Sequence, residues 1–156
     1  MIIDKLPTSQ EIGIKWARAL PKPLVFTNGC FDIIHRGHTT YLEEARALGA
    51  SLVVAINSDA SVRRLNKGPK RPINCLEDRA AILAALESIS LVIAFEEDTP
   101  LALIRAIRPD VLVKGGDWAV DAIVGAPDVQ NYGGRVVSIP FRFNRSTTAL
   151  IETIRR

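Results

Sequence analysis

The two histidines of the chain stand three residues apart, just after the first predicted strand. They are His35 and His38, and Gly37 lies between them. At this spacing both imidazole rings can face one space, and the missing Cβ of Gly37 lets a ligand come close to the backbone. A helix N-terminus is an anion site, and imidazoles beside it can stabilise charge that develops on a transferring phosphoryl group. The motif therefore predicts a site that binds phosphate groups and acts on them.

Two other interpretations of the histidine pair stay open at this point. Both side chains can be ordinary polar residues at the start of a helix. Alternatively they can bind a metal ion, for which Cys30 and Asp32 are the only further ligands at hand, without any of the usual zinc spacings. Asp32 can orient a substrate or a metal ion, or it can accept hydrogen bonds from the N–H groups of its own turn.

Two later loops carry residue types that suit phosphate. Ser146, Thr147 and Thr148 open the last predicted helix, and three consecutive hydroxyl groups exceed the single oxygen that a helix cap requires. The segment 114–118 has the sequence Lys-Gly-Gly-Asp-Trp. Its glycines allow a ligand to approach the backbone, and its lysine can meet a phosphate. The tryptophan can stack on a ligand or pack against the protein.

The positive charge of the chain is concentrated in one short segment. Arg63, Arg64, Lys67, Lys70 and Arg71 lie within nine residues that hold no acid, and without them the formal net charge of +3 becomes −2. A nucleic acid needs a spread basic surface, so one basic loop favours a small polyanion as the ligand. We expect Arg63 and Arg64 to be solvated, and Lys67 to reach the ligand from a mobile loop.

The composition fits a soluble protein of one domain. The chain has 156 residues, of which 47% are hydrophobic and 6% aromatic, and such a length buries enough surface to fold without disulfides or metals. Its longest apolar run, 80–86, is far shorter than the roughly 18 residues of a membrane span, and no export signal is visible. Two cysteines, Cys30 and Cys75, fit a reducing compartment. We therefore expect a cytoplasmic protein that binds neither membranes nor nucleic acid.

Apolar strands alternate with segments of helical period along the chain. Strands are predicted at 24–27, 52–56, 91–95, 111–113 and 136–139, and helices at 9–20, 39–48, 75–88, 100–107, 119–132 and from 147 onward. Asn74 is expected to cap the helix at 75–88. This alternation predicts a Rossmann-like, doubly wound α/β domain over 1–156, with a parallel sheet of about five strands and a helical extension at 1–23. Ligands of such sheets bind beyond the carboxyl ends of the strands, where the loops described above begin.

Together these segments carry a family resemblance. Asn28-Gly29-Cys30-Phe31-Asp32, followed by the His-x-Gly-His motif, resembles the cytidylyltransferase-like nucleotidyltransferases. The match is closer to the D-glycero-β-D-manno-heptose 1-phosphate adenylyltransferases of lipopolysaccharide inner-core biosynthesis. It continues through 54–59, 71–72, 77–79, 108–118 and 146–151, and so covers nearly all of the chain from residue 24 onward.

The resemblance implies transfer of AMP from ATP to heptose 1-phosphate, with release of pyrophosphate and with Mg²⁺ carried by the nucleotide phosphates rather than by side chains. It implies that His35, His38 and Lys67 are catalytic and that Asp32, Asn57 and Arg79 bind the substrate. Arg79 stands in the first turn of its helix, where the helix dipole disfavours a cation. The implied nucleotide-binding residues are Asn28, Gly29, Cys30, Phe31, Gly37, Lys114, Gly115, Asp117, Trp118, Ser146, Thr147 and Thr148. For the thiol of Cys30, a buried packing role is the alternative.

Some points differ from the family pattern or stay open. Cytidylyltransferases often carry arginine five positions before the serine of the last loop, where this chain has Phe141. Arg142 and Arg145 are out of register, and either of them could contact phosphate. A cytidylyltransferase that acts on glycerol 3-phosphate or another small phosphate is the alternative enzyme. A non-catalytic regulator that binds nucleotides or RNA is the alternative from a different class. Because the superfamily often pairs its subunits, we expect a homo-oligomer.

Overall fold

A computed structural model describes all of residues 1–156. It contains a five-stranded parallel sheet with helices on both faces, which confirms the predicted doubly wound α/β fold. The strands are β1 (Leu24–Gly29), β2 (Ser51–Asn57), β3 (Leu91–Phe95), β4 (Val111–Gly115) and β5 (Arg135–Ile139). The α-helices are α1 (Gln10–Ala19), α2 (Arg36–Arg46), α3 (Asp59–Arg64), α4 (Leu76–Ala84), α5 (Leu101–Ile107), α6 (Ala126–Asn131) and α7 (Thr147–Arg155). Short 3₁₀ helices cover Ile2–Lys5 and Val120–Ala122.

The strand order is β3-β2-β1-β4-β5, so successive strands are added on one side of β1 up to β3 and on its other side from β4 onward. The order of the strands therefore reverses between β1 and β4. Such a switch point is where open α/β sheets bind their ligands. The ladder between β1 and β4 contains only two residue pairs, at Val25 and Phe26, whereas β1 and β2 pair over six. Beyond the short ladder, the hydroxyl of Thr27 donates to the carbonyl of Val113 at 2.9 Å. A side chain thus replaces the backbone pairing where the two strand ends leave room for a crevice.

The central strands are buried on both faces of the sheet. Alternate residues of these strands belong to two hydrophobic clusters, each of 15 buried side chains. Phe26 and Val53 lie in one cluster, and Val25 and Leu52 lie in the other. Helices α1, α5 and α6 cover the first face, and α2 and α4 cover the second. This double coverage explains why β1 and β2 appear in the sequence as nearly continuous apolar runs.

No helix in the structure is both long enough and apolar enough to span a membrane.

Three sequence predictions about the helices are wrong, each for a local reason. Helix α2 begins inside the histidine motif, because Nδ1 of His35 accepts the N–H of Gly37 at 3.1 Å and caps the helix there. The helix predicted at 119–132 is interrupted by Gly125, whose φ of 87° is left-handed and cannot continue a right-handed helix. Asn74 does not cap α4, because its side-chain amide donates to the carbonyl of Asp32 at 2.7 Å instead.

Candidate functional site

Two adjoining cavities open at the carboxyl ends of β1 and β4. The first has a volume of about 290 Å³ and is lined by the histidine pair and the first turn of α7; we call it the histidine cavity. The second has a volume of about 260 Å³ and is lined by Trp118 and by the loop after β3; we call it the tryptophan cavity. Five residues line both cavities: Asn28, Gly29, Cys30, Lys67 and Lys114. The segment at the end of β1 and the two lysines therefore form the junction between the cavities.

The two imidazole rings stack on each other in the histidine cavity. Their centroids are 3.8 Å apart and their planes differ by 24°. Nδ1 of His35 accepts the N–H of Gly37, and Nδ1 of His38 accepts the N–H of His35 at 3.3 Å. Because each Nδ1 accepts a hydrogen bond, each neutral ring carries its proton on Nε2. The pair therefore offers two Nε2–H donors to an anion in this cavity.

The surroundings of both imidazoles favour their neutral form in the free protein. Burial, the adjacent ring of His35 and the charge of Lys67 lower the pKa of His38 from 6.5 to about 4. Burial and the charge of Arg145 lower the pKa of His35. An anion beside the rings has the opposite effect, because an opposite charge stabilises the imidazolium form. Protonation of the pair is therefore coupled to anion binding.

Positive charge predominates around the histidine cavity. Lys67, Lys114 and Arg145 line it, and none of them forms an ion pair with a carboxylate. Asp32 is the only acid in the lining, and it is paired with Arg71 at 2.7 Å. Burial also lowers the pKa of Lys114. Three unpaired cations beside a neutral histidine pair suit a ligand with several negative charges.

The hydroxyl residues at the start of α7 line the same cavity, as the sequence predicted. Their hydroxyl groups, however, bond within the protein: Ser146 caps the helix, and Thr147 donates to the carbonyl of Ile33 at 3.0 Å. The hydroxyl of Thr148 accepts from Arg71 at 3.4 Å. The N–H groups of Thr147 and Thr148 belong to the first turn, where no intrahelical acceptor is available. The helix thus offers the ligand its backbone more than its side chains.

Arg79 reaches neither cavity, which corrects its predicted role in binding the substrate. Its side chain is fully buried. The guanidinium donates to the carbonyls of Cys30, Asn57 and Asn74 at 2.9, 2.8 and 3.0 Å and to the carboxylate of Asp59 at 2.7 Å. These acceptors lie at the ends of β1 and β2, before α4 and at the start of α3. Arg79 therefore cross-links the segments that carry the site.

Asp32 has a structural role as well, and its predicted contact with the substrate stays a prediction. Its carboxylate accepts from Arg71 at 2.7 Å and from the N–H groups of Ile73 and Asn74, both at 2.8 Å. Burial alone would raise the pKa of Asp32, but these three donors outweigh it and lower the pKa. The carboxylate binds backbone N–H groups, as the alternative interpretation proposed, but those of the loop before α4.

Phe31 and two glycines shape the space around the histidine rings. Phe31 packs edge-on against His38, with the ring centroids 5.2 Å apart. A Cβ at Gly29 would lie 2.8 Å from the ring of Phe31, and a Cβ at Gly37 would lie 2.9 Å from the ring of His35. Both glycines therefore leave room for rings of the protein itself.

The remaining predicted residues are divided between the cavities. Gly115 lines the histidine cavity, whereas Trp118 and Asn57 line the tryptophan cavity. Asp117 is exposed and lines neither, so its predicted contact with the nucleotide is not supported by its position. The buried Cys30 lies at the junction of the cavities. The roles of the residues that do line a cavity stay predictions.

The basic segment does not act as one unit. Arg63 and Arg64 are exposed on α3, as predicted, and Arg64 pairs with Asp98 at 2.7 Å. Arg71 is buried. Lys67 is the member of the segment that lines both cavities without a carboxylate partner. The concentration of charge seen in the sequence therefore separates into a surface part, a buried part and a part at the site.

The sequence left the roles of Arg142 and Arg145 open, and it did not predict Tyr41 as a lining residue. Arg145 lines the histidine cavity, whereas Arg142 pairs with Glu44 of α2 outside it. Tyr41 also lines this cavity, and its hydroxyl bonds to that of Thr27, which joins α2 to β1. The spacing of Tyr41 from His38, three residues along one helix, was the signal available for it.

Comparisons with known proteins agree with this geometry. The family model described as cytidylyltransferase-like matches residues 26–152. A protein of Bordetella bronchiseptica named D-beta-D-heptose 1-phosphate adenylyltransferase is 59% identical over 151 residues, which cover 97% of this chain and 93% of that protein. The bifunctional protein HldE of Pseudomonas syringae pv. syringae is 59% identical over 144 residues, or 92% of this chain. The chain spans only 30% of the length of that bifunctional relative.

Two solved structures illustrate the similarity of fold. The lipopolysaccharide core biosynthesis protein of Thermoplasma volcanium superimposes with a TM-score of 0.63 at 28% identity, over 78% of this chain and 98% of that chain. The pantoate-beta-alanine ligase of Francisella tularensis superimposes with a TM-score of 0.62 at 14% identity, over 97% of this chain and 79% of that chain. The second likeness concerns the fold alone.

Replacing Arg79 by Met should destabilise the protein strongly. The Arg79→Met change leaves two buried carbonyls and the partly exposed carboxylate of Asp59 without their donor. Each buried acceptor left without a partner costs about 1–3 kcal/mol. Arg64→Met is the matched control, because it removes an exposed ion pair worth at most about 1 kcal/mol. Urea denaturation measures the loss in the free energy of unfolding for both variants. Equal losses in the two variants would contradict the role assigned to Arg79.

Anion binding should raise the pKa of His38. In the free protein the ring is expected to titrate at about 4. Inorganic tripolyphosphate should move the titration midpoint upward, toward the ordinary value of 6.5, since its charge stabilises the imidazolium. Proton–carbon NMR can follow both rings, because the chain has two histidines, and His38→Gln assigns them. A midpoint that is the same with tripolyphosphate as with sodium chloride of equal ionic strength would exclude His38 from the anion site.

Proposed function

Because the chain belongs to the cytidylyltransferase-like family, we propose that it transfers the adenylyl group of ATP to D-glycero-β-D-manno-heptose 1-phosphate, giving ADP-heptose and pyrophosphate. The observation that carries the proposal is the 59% identity, over 97% of the chain, to the relative named as a heptose 1-phosphate adenylyltransferase. The similarity to a solved structure named as a lipopolysaccharide core biosynthesis protein supports the proposal that the reaction serves lipopolysaccharide assembly. The paired cavities support a reaction of two phosphorylated substrates.

The transfer itself needs alignment and charge neutralisation. An oxygen of the sugar phosphate attacks the α-phosphorus of ATP, and the bond from that phosphorus to the bridging oxygen of pyrophosphate breaks. No covalent intermediate with the protein is required. In the proposal, the Nε2–H groups of His35 and His38 and the first-turn N–H groups of α7 bind the departing phosphates. Lys67 and Lys114 stand at the junction of the cavities, where the two substrates must meet.

Mg²⁺ enters the proposal as part of the MgATP substrate. No group of three or more histidine, cysteine, aspartate or glutamate side chains is placed to hold a metal ion. The carboxylate of Asp32, the one acid that lines the histidine cavity, is occupied by three donors. The ion would neutralise part of the phosphate charge. The lysines, Arg145 and the N–H donors of the chain would neutralise the rest.

Two further statements belong to the proposal. A cytoplasmic location follows from the use of ATP as a substrate. A homo-oligomer stays a prediction, which light scattering of the purified chain would test.

Replacing His38 by Ala should lower the turnover number by about 10²–10³-fold, which is the usual loss on removal of one donor to a developing charge. Pyrophosphate release with ATP and heptose 1-phosphate measures it. Circular dichroism must show that His38→Ala is folded. Glu11→Ala is the matched control, because Glu11 is exposed on α1 and lines neither cavity.

Two outcomes would contradict the assignment. Near-normal turnover in a folded His38→Ala protein would remove the catalytic role of that ring. Turnover of the unaltered chain with CTP and glycerol 3-phosphate, but none with ATP and heptose 1-phosphate, would overturn the proposed reaction in favour of the alternative cytidylyltransferase.

A further inference from the structure

Two exposed aromatic rings flank the glycine pair at the end of β4. Three aromatic side chains of the protein are more than a third exposed: Trp16, Trp118 and Phe141, at 39%, 50% and 65%. A Cβ at Gly116 would lie 3.2 Å from the ring of Phe141 and 3.3 Å from the indole of Trp118. Two of the three exposed rings therefore stand beside the same glycine, at the site.

The two rings belong to different cavities. Phe141 lines the histidine cavity and Trp118 lines the tryptophan cavity, and neither ring lines both. Gly116 lies between them with a φ of 105°, a left-handed conformation that favours glycine. The two rings therefore approach one point beside Gly116, but each of them lines a different cavity.

The chemistry of the linings assigns one substrate to each cavity. The histidine pair, Arg145 and the first turn of α7 line only the histidine cavity, whereas Lys67 and Lys114 line both cavities. The tryptophan cavity combines apolar side chains such as Leu65 and Val124 with the hydroxyl of Thr99 and with the carboxylate of Asp98, which also pairs with Arg64. Acceptor oxygens of this kind bind sugar hydroxyls, and the negative face of an indole attracts the C–H groups of a sugar ring.

We propose that the two rings divide the substrates between them: Phe141 stacks on the adenine of ATP, and Trp118 packs on the sugar of the acceptor. The phosphate of the acceptor then lies at the junction, beside Lys67 and Lys114. This inference rests on the proposed function, because it requires two organic substrates bound at once. It also reassigns Trp118, which the sequence placed in the nucleotide site.

Reciprocal variants test the division. Phe141→Leu should raise KM for ATP by about tenfold, in the range that loss of base–aromatic stacking costs, and should leave KM for heptose 1-phosphate within about twofold. Trp118→Leu should do the opposite, raising KM for the sugar phosphate by about three- to tenfold. Each variant is the matched control of the other. An increase in KM for the same substrate in both variants would overturn the proposal.

Tryptophan fluorescence gives a second measurement that does not depend on turnover. The chain has two tryptophans, so Trp16→Phe leaves Trp118 as the only emitter. Heptose 1-phosphate alone should protect this indole from quenching by acrylamide, and ATP alone should leave it accessible. Protection by ATP and none by heptose 1-phosphate would overturn the assignment.

Failure of the proposed function is distinguishable from failure of this inference. If the unaltered chain forms ADP-heptose but the variants do not separate the two KM values, the inference alone fails. If the unaltered chain does not form ADP-heptose, the proposed function fails, and calorimetric binding of ATP still decides where the nucleotide lies. A loss of ATP affinity in Trp118→Leu, with none in Phe141→Leu, would then overturn the assignment of the rings.

Discussion

The buried guanidinium of Arg79 is the interaction on which the site depends. The strands β1 and β2 end at the edge of the sheet, where the carbonyls of Cys30 and Asn57 need a donor. Arg79 supplies it at 2.9 and 2.8 Å, and its charge is balanced by Asp59 at 2.7 Å. A planar guanidinium can serve several acceptors in fixed directions at once, which an ammonium group on a flexible stem cannot do. The segments that begin at these strand ends therefore leave the sheet in fixed directions, and both cavities are lined by them.

The charges of the chain are divided between structure and site. Arg71 and Asp32 form a buried pair, and Asp32 also accepts two backbone N–H groups, so neither charge is free for a ligand. Because the one acid of the histidine cavity is neutralised in this way, Lys67 and Lys114 keep their full effect on an anion. The site is positive because it holds cations and because its one carboxylate, that of Asp32, is neutralised by Arg71.

Backbone and side-chain groups together set the tautomer and the pKa of the histidine pair. Each Nδ1 is engaged by a backbone N–H group, which leaves Nε2 as the donor toward the cavity. Burial, His35 and Lys67 lower the pKa of His38 to about 4, which favours the neutral form of this ring in the free protein. Gly37 and Gly29 leave room for the aromatic rings that establish this geometry. The motif works as a unit because helix α2 begins inside it.

The alternation of strands and helices, the loops that line the cavities and the histidine pair could all be predicted from the sequence. These features depend on local periodicity and on contiguous motifs, so they can be read along the chain. Tertiary structure alone decided which charges remain free. Asp32 meets Arg71 across 39 residues of sequence, and Arg79 meets Cys30 across 49, so their burial could not be seen from their neighbours. It likewise decided that Arg145 lines a cavity while Arg142 pairs with Glu44, and that Trp118 and Phe141 lie in different cavities. The physical reason is that the partner of a charge, and the cavity that a ring lines, are set by packing between elements distant in the chain.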